Sequence, residues 1–124
     1  MALSIKRVYA PAEKSDGIRI LVDRLWPRGI SREKAKIDEW MKVIAPSTRL
    51  RQWVHAGADR WDEFQTRYRA EMDAPDKKAL IRRLRAMSRK GNVTLLFASK
   101  DVENNNARAL ASIVKGGRSL PNQR

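Results

Sequence analysis

Residues 18–29 read IRILVDRLWPRG, and this stretch decides the fold. Ile18, Ile20, Leu21 and Val22, followed by Leu25 and Trp26, make a mostly apolar, β-branched run suited to a strand covered on both faces. Pro27-Arg28-Gly29 then breaks it. A second run of the same texture, NVTLLFAS at residues 92–99, predicts another such strand. About 65 residues of mostly helical texture separate the two, ample for a parallel crossover. The two strands are therefore expected to be parallel, and the carboxyl ends of such strands are where α/β folds place ligands. The segments arriving there are Asp23–Gly29 and Ser99-Lys100-Asp101.

Working outward, residues 3–9 predict an earlier strand and 18–26 the strand just described. The link between them, PAEKSDG, holds the turn residues Pro11, Asp16 and Gly17. It is shorter than the dozen or more residues a parallel crossover ordinarily takes, so an antiparallel pair is expected. From Ser31 to Met72 the texture is helical. Ser31 can cap a helix in which Ile37, Trp40, Met41 and Ile44 recur at helical spacing, and Pro46 ends it. Ser47 caps a short helix carrying Leu50, Trp53 and Val54. Trp61, Phe64, Tyr68 and Met72 form one continuous helical face, expected to be core. Asp76 opens a helix that stops at Gly91, with Leu80, Leu84 and Met87 as its core side and Ile81 and Ser88 flanking. The last helix is expected over 104–114, closed by Gly116-Gly117. These elements predict an α/β protein: a small mixed sheet of about three strands, the second and third parallel, packed with helices. A single compact domain over 1–116 and a flexible tail over 117–124 complete the expectation.

Composition sets further bounds. A chain of 124 residues suffices for one core, and 42% hydrophobic with 33% charged residues is a globular balance. Without cysteine there is no disulfide framework, thiolate nucleophile or cysteine-ligated zinc, and a single histidine excludes a His-pair metal site. No metal or cofactor is expected. No apolar run approaches the roughly 18 residues that span a bilayer, and the first residues lack the apolar stretch of a signal peptide. The expectation is a cytoplasmic, bacterial-type domain with no membrane partner. The 27 Lys and Arg against 14 Asp and Glu leave a charge of +13. A field of that sign concentrates anions, with a strength that falls with salt, and favours phosphorylated metabolites or nucleic acid as partners.

Three segments and one histidine carry the candidate chemistry. DRLWPRG places Arg24 and Arg28 at a strand exit, where guanidinium groups suit bidentate contact with phosphate or carboxylate. Asp23 orients one of them, acts as a base if its pKa is raised, or forms an ion pair that holds the turn. SKDVENNNA (residues 99–107) is a strand–loop–helix junction, and a helix start favours an anion. Ser99 and Lys100 stand before it, and one of Asn104, Asn105 and Asn106 is needed as the cap, which leaves two free. The helix over 76–90 carries Lys78, Arg82, Arg85 and Arg89 in a single basic stripe about 16 Å long, either a solvated face or a surface for nucleic-acid phosphates. His55 is the one side chain with an ordinary pKa near neutrality, and is either a packed residue or a proton carrier.

The motifs DRLWPRG, Ala45-Pro46-Ser47 followed by Leu50-Arg51, and Trp61, Phe64 and Tyr68 together resemble the YeaO-like family of small bacterial proteins, a domain of unknown function. The likeness continues through VTLLFASKDVENNNARAL and covers nearly the whole chain. It implies an α/β fold without an agreed activity. It also puts weight on Asp23, Arg24, Trp26, Arg28, Ser47, Arg51 and His55, whose residue types the family pattern carries. Where relatives commonly show Asn-His-Ala before the last helix, this chain has Asn105-Asn106-Ala107. A proton-transfer step resting on that histidine would here be missing or would fall to His55.

The leading functional expectation is a binder of phosphate-bearing or other anionic ligands at the strand ends, through Arg24, Arg28, Ser47, Arg51, Ser99, Lys100 and Asn105. The alternatives are a hydrolase or transferase on a phosphorylated small molecule using Asp23 or His55, and a nucleic-acid-associated protein using the basic helix.

Overall fold

The computed structural model describes residues 2–116, and its sheet contains four strands, all parallel: β1 (Leu3–Arg7), β2 (Ile18–Leu21), β3 (Glu39–Trp40) and β4 (Val93–Phe97). Their order is β1-β4-β2-β3. Central β4 pairs with β1 from Leu3↔Val93 to Arg7↔Phe97 and with β2 from Ile18↔Val93 to Leu21↔Leu96. Every residue of β4 is buried, as a strand covered on both faces requires. The expected tail over 117–124 lies outside the described residues.

The parallel relation of β2 and β4 matches the expectation from sequence, but two features of the sheet differ. First, β1 and β2 are not an antiparallel pair. They are parallel and β4 lies between them, so the sheet is not mixed. The link returns along the sheet by extended chain and one 3-10 turn, Lys14–Asp16. Ten extended residues reach roughly 33 Å, enough to traverse a five-residue strand and step past a neighbour without a helix. Second, a fourth strand occupies part of the segment expected to be helix over 31–46. The helix there, α1, is only Arg32–Ala35, capped by Ser31 as expected, and Lys36 at φ 52° ends it. The chain then runs along the edge of β2: Asp38 N–H donates to the Arg19 carbonyl and Met41 N–H to the Leu21 carbonyl. The spacing of Ile37, Trp40, Met41 and Ile44 imitates one helical face, yet these residues divide between the two faces of the sheet.

The other helices are α2 (Thr48–His55), α3 (Trp61–Glu71), α4 (Pro75–Lys90) and α5 (Asn106–Gly116). They cover one face, where Ile20, Val22, Val93, Leu95 and Phe97 meet Leu50, Phe64, Tyr68, Leu84 and Leu110. Phe64, Tyr68 and Met72 are buried and Trp61 is half-buried, so the aromatic stripe is core as expected. On α4 the buried residues are Ile81, Leu84 and Ser88, with Leu80 and Met87 half-buried. The core face is thus turned by about one residue from the expected one. On the second face Val8, Leu21, Ala35, Ile37 and Leu96 form a smaller cluster with Trp26 and Trp40. The buried ion pair of Asp16 and Arg19 belongs to the same side, tied to Lys6 and, through the Asp16 carbonyl, to Thr94. Among the described residues no helix is long and apolar enough to cross a membrane.

Candidate anion-binding cleft

The carboxyl ends of β1, β2 and β4 open into one cleft of about 910 Å³, walled on its far side by α2 and the start of α3. Parallel strands deliver their exits to the same edge, so Arg7, the Asp23–Arg28 loop and Ala98–Asp101 arrive together. Six basic side chains line the cleft, Arg7, Arg24, Arg28, Arg51, Arg60 and Lys100, against two acidic ones, Asp23 and Asp101.

The loop after β2 is held at several points. Gly29 takes φ 73°, a left-handed value that a side chain would disfavour, and so completes the turn begun by Pro27. Trp26 Nε1 donates to the Ile30 carbonyl at 2.8 Å, and Tyr9 Oη donates to the Arg28 carbonyl at 2.8 Å. Arg24 donates from Nε and Nη2 to the Pro46 carbonyl and from Nη2 to the Ala45 carbonyl, which fastens the loop to the segment entering α2. Arg7 donates to the carbonyls of Ser99 and Ala98 at 2.9 and 3.1 Å. Arg60 donates to the Trp53 carbonyl at 2.6 Å. These three arginines shape the cleft and charge it. The side chains of Arg28, Arg51 and Lys100, all exposed, make no hydrogen bond within the protein among the described residues and remain for a ligand.

Asp23 lies at the inner end, half-buried. Its Oδ2 accepts the Ala98 N–H at 2.9 Å, and the Asn106 amide and the Arg51 guanidinium are the nearby groups that favour its charged form. Burial raises its carboxyl above the ordinary 3.8, against the opposing pull of those three groups. Asn106 additionally donates to the Val22 carbonyl at 3.0 Å. His55 is exposed on α2 and lines the same cleft.

The remaining sequence candidates fall as follows. Ser99 lines the cleft, but its hydroxyl accepts the Asp101 N–H at 3.1 Å and so organises the loop. Asn105 is the cap of α5: its Oδ1 accepts the Arg108 N–H at 2.9 Å and its amide donates to the Asp101 carbonyl at 3.0 Å. Of the two asparagines left over, Asn106 lines the cleft beside Asp23 with its amide on the Val22 carbonyl, and Asn104 is exposed at the mouth. Ser47 is not part of the cleft lining. Its hydroxyl accepts the Leu50 N–H and donates to the Glu71 carboxylate, a structural duty at the start of α2. On α4, Lys78, Arg82 and Arg89 are exposed, whereas Arg85 is not a free member of the stripe. It is half-buried and donates to the carbonyls of Val114 and Ile113, neutralising the last turn of α5.

Sequence reasoning missed Arg7, Arg60 and Tyr9. Arg7 ends β1 and Tyr9 follows it, and an antiparallel β1 would have sent both to the opposite edge of the sheet. Arg60 carries a weak signal: it precedes α3, where a Cβ on Gly57 would lie 2.4 Å from its Nε, so the glycine makes room for it.

Fold and cleft together define a class: a parallel α/β protein with an arginine-lined cleft at the carboxyl ends of its strands. Within that class the chain belongs to the family described as the inactive DUF488-N3 subclade, whose profile matches residues 2–119. It is YeaO-like, being 44% identical to the uncharacterised protein YeaO of Escherichia coli (strain K12) over 111 residues, 90% of this chain and 95% of that one. It is 37% identical over 112 residues to the uncharacterised protein Rv3073c of Mycobacterium tuberculosis (strain ATCC 25618 / H37Rv), covering 90% of this chain and 92% of that protein. No solved structure matches it.

Proposed function

We propose that this protein binds a phosphate-bearing or other anionic ligand in the cleft at the carboxyl ends of β1, β2 and β4. The observation that carries this reading is the convergence of six basic side chains on one concavity, three of them anchored to backbone carbonyls and three free. Anchored guanidinium groups hold a positive field in place before the ligand arrives, so little ordering is required on binding. Binding is favoured over turnover by two points. The family is described as inactive. The carboxylate best placed for proton transfer, Asp23, already accepts the Ala98 N–H at 2.9 Å.

The test is calorimetric titration with pyrophosphate. Arg28→Gln and Arg51→Gln should each weaken binding about ten-fold, the low end for a charged hydrogen bond at an exposed position. Wild-type affinity in the double variant would place the anion elsewhere.

The raised carboxyl of Asp23 adds a pH dependence. As pH falls, Asp23 gains its proton at a pH above 3.8 and the cleft loses a negative charge. Sulfate keeps a constant charge across that window, and its affinity should rise as the solution is acidified. In Asp23→Asn the rise should flatten; an undiminished rise would assign it to another group.

A second reading, association with nucleic acid through α4, is supported by the exposure of Lys78, Arg82 and Arg89 and by Arg69 of α3, which borders the same groove as Lys78 and Arg82. Three phosphate contacts on duplex DNA would give a slope of log K against log salt of about −2.7, and Arg82→Gln should flatten it by about 0.9. A slope unmoved by Arg82→Gln retires this surface.

A further inference from the structure

The cleft contains features that a simple anion site does not need. Four aromatic side chains, Tyr9, Trp26, Trp61 and Phe64, stand among its cations. Trp61 is half-buried at the wall opposite the strand ends. Its ring stacks on Phe64 at 5.4 Å with 19° between planes, and Phe64 stacks on Tyr68 at 5.7 Å. Tyr68 is fully buried and donates its hydroxyl to the Ile44 carbonyl at 2.7 Å, so the column ends on the core. Trp61 is therefore a ring fixed in position at the edge of a basic cavity. Asp23 adds a hydrogen-bond acceptor at the inner end, which would repel a bare phosphate but suits a ligand that also brings N–H or O–H donors. The volume of about 910 Å³ is far larger than one phosphate and lies in the range of pockets that enclose whole small molecules.

We propose that the cleft takes a nucleotide unit, with its phosphate on Arg28, Arg51 and Lys100, its base against Trp61 and a sugar or base donor on Asp23. This rests on the anion-cleft reading and specifies its ligand. Cations that track phosphate beside an aromatic ring that accepts a base are the combination by which proteins bind single-stranded nucleic acid without a sequence code. The same chemistry is presented by a free mononucleotide and by one nucleotide of a single strand.

The test compares ligands that differ by one part at a time on the full chain: inorganic phosphate, ribose 5-phosphate, AMP and a short oligoadenylate, followed by calorimetry and tryptophan emission. AMP should bind more tightly than ribose 5-phosphate by a factor between about five and about 150, the range for stacking one base, with a change in tryptophan emission. Trp61→Leu should remove that factor while leaving ribose 5-phosphate affinity in place. Tighter binding of the oligoadenylate with a steeper salt slope than AMP identifies a strand as the source, and equal affinity identifies the free nucleotide. Equal affinity of AMP and ribose 5-phosphate for the wild-type protein overturns the nucleotide assignment and leaves the anion site standing. Failure of every phosphate to bind overturns the anion site as well. The wild-type comparison decides the matter even should Trp61→Leu fold poorly.

Discussion

Replacing Asp16 by alanine is expected to destabilise the fold by about 3–5 kcal/mol, the range for removing one partner from a buried ion pair. Asp16 is 5% exposed and Arg19 3%. Arg19 lies on the second face of the sheet, where its Nη1 meets Asp16 and its Nε and Nη2 donate to the Ala35 carbonyl at 3.1 and 2.8 Å. Asp16 also receives Lys6 Nζ at 2.8 Å and the Glu13 N–H at 3.0 Å. Without the carboxylate, the guanidinium stays in an apolar layer with carbonyls alone for company. Burial by itself would raise the Asp16 carboxyl, but Lys6, the Glu13 N–H and Arg19 outweigh it and hold the group below its ordinary 3.8. A depressed value in the folded state means that this contribution is complete above about pH 4. It is lost as pH falls through the folded value. Urea unfolding at pH 7 and in steps below pH 4 measures both effects. The wild-type protein should weaken in the acid range, and Asp16→Ala should start lower and fall less steeply. A loss under about 1 kcal/mol at pH 7 would mean that Arg19 regains water or another partner when Asp16 is removed.

Phe64→Ala should have an effect of the same order, about 3–5 kcal/mol, through an unfilled volume in the main core. Phe64 is 3% exposed and lies between Trp61 and Tyr68, so its removal interrupts the stacked column and frees one face of each neighbour. Denaturant midpoints at constant slope give the magnitude. A cost near 1 kcal/mol would indicate that Trp61 collapses onto Tyr68. In that event ligand binding in the cleft should also change, because Phe64 and Trp61 both contribute to its wall.

The two destabilising sites differ in how far they could be read beforehand. Phe64 was legible, since a stripe of large aromatics at helical spacing has one low-energy disposition, against the core. The ion pair was not. Arg19 occurs within an apolar run and Asp16 within a turn-rich link, and nothing local states that the two meet under α1. The same contrast holds within the cleft. Arg24 and Arg28 stand in a motif at a strand exit and could be nominated at once. That Arg24 is committed to the carbonyls of residues 45 and 46, while Arg28 projects free, depends on where a segment some twenty residues later returns. Asn105 and Asn106 are adjacent and chemically identical. One became the cap of α5 and the other a donor to the Val22 carbonyl at the end of β2, a division set by the helix start relative to β2.

Arg85 shows the limit of periodicity on the surface. Its spacing with Lys78, Arg82 and Arg89 is the spacing of one helical stripe, and spacing alone does not distinguish water from the end of a neighbouring helix. The carbonyls of Ile113 and Val114, in the last turn of α5, accept from its guanidinium and take it out of the stripe.

What the amino-acid sequence determined by itself was local and periodic: the two apolar strands that became β2 and β4, their parallel relation through a long helical crossover, the aromatic core face of α3, the caps at Ser31 and Ser47, and the stop at Gly91. Each follows from interactions among residues close in the chain or from a repeat matched to one element. Only the tertiary structure decided that β4 enters between β1 and β2, that Glu39–Trp40 leaves helical spacing to pair with β2, and that Arg7 joins the cleft. The reason is that backbone N–H and C=O groups at a strand edge must be satisfied by whichever segment can reach them. That requirement is imposed by distant parts of the chain, outweighs the small local preferences of a few residues, and leaves no period to be read.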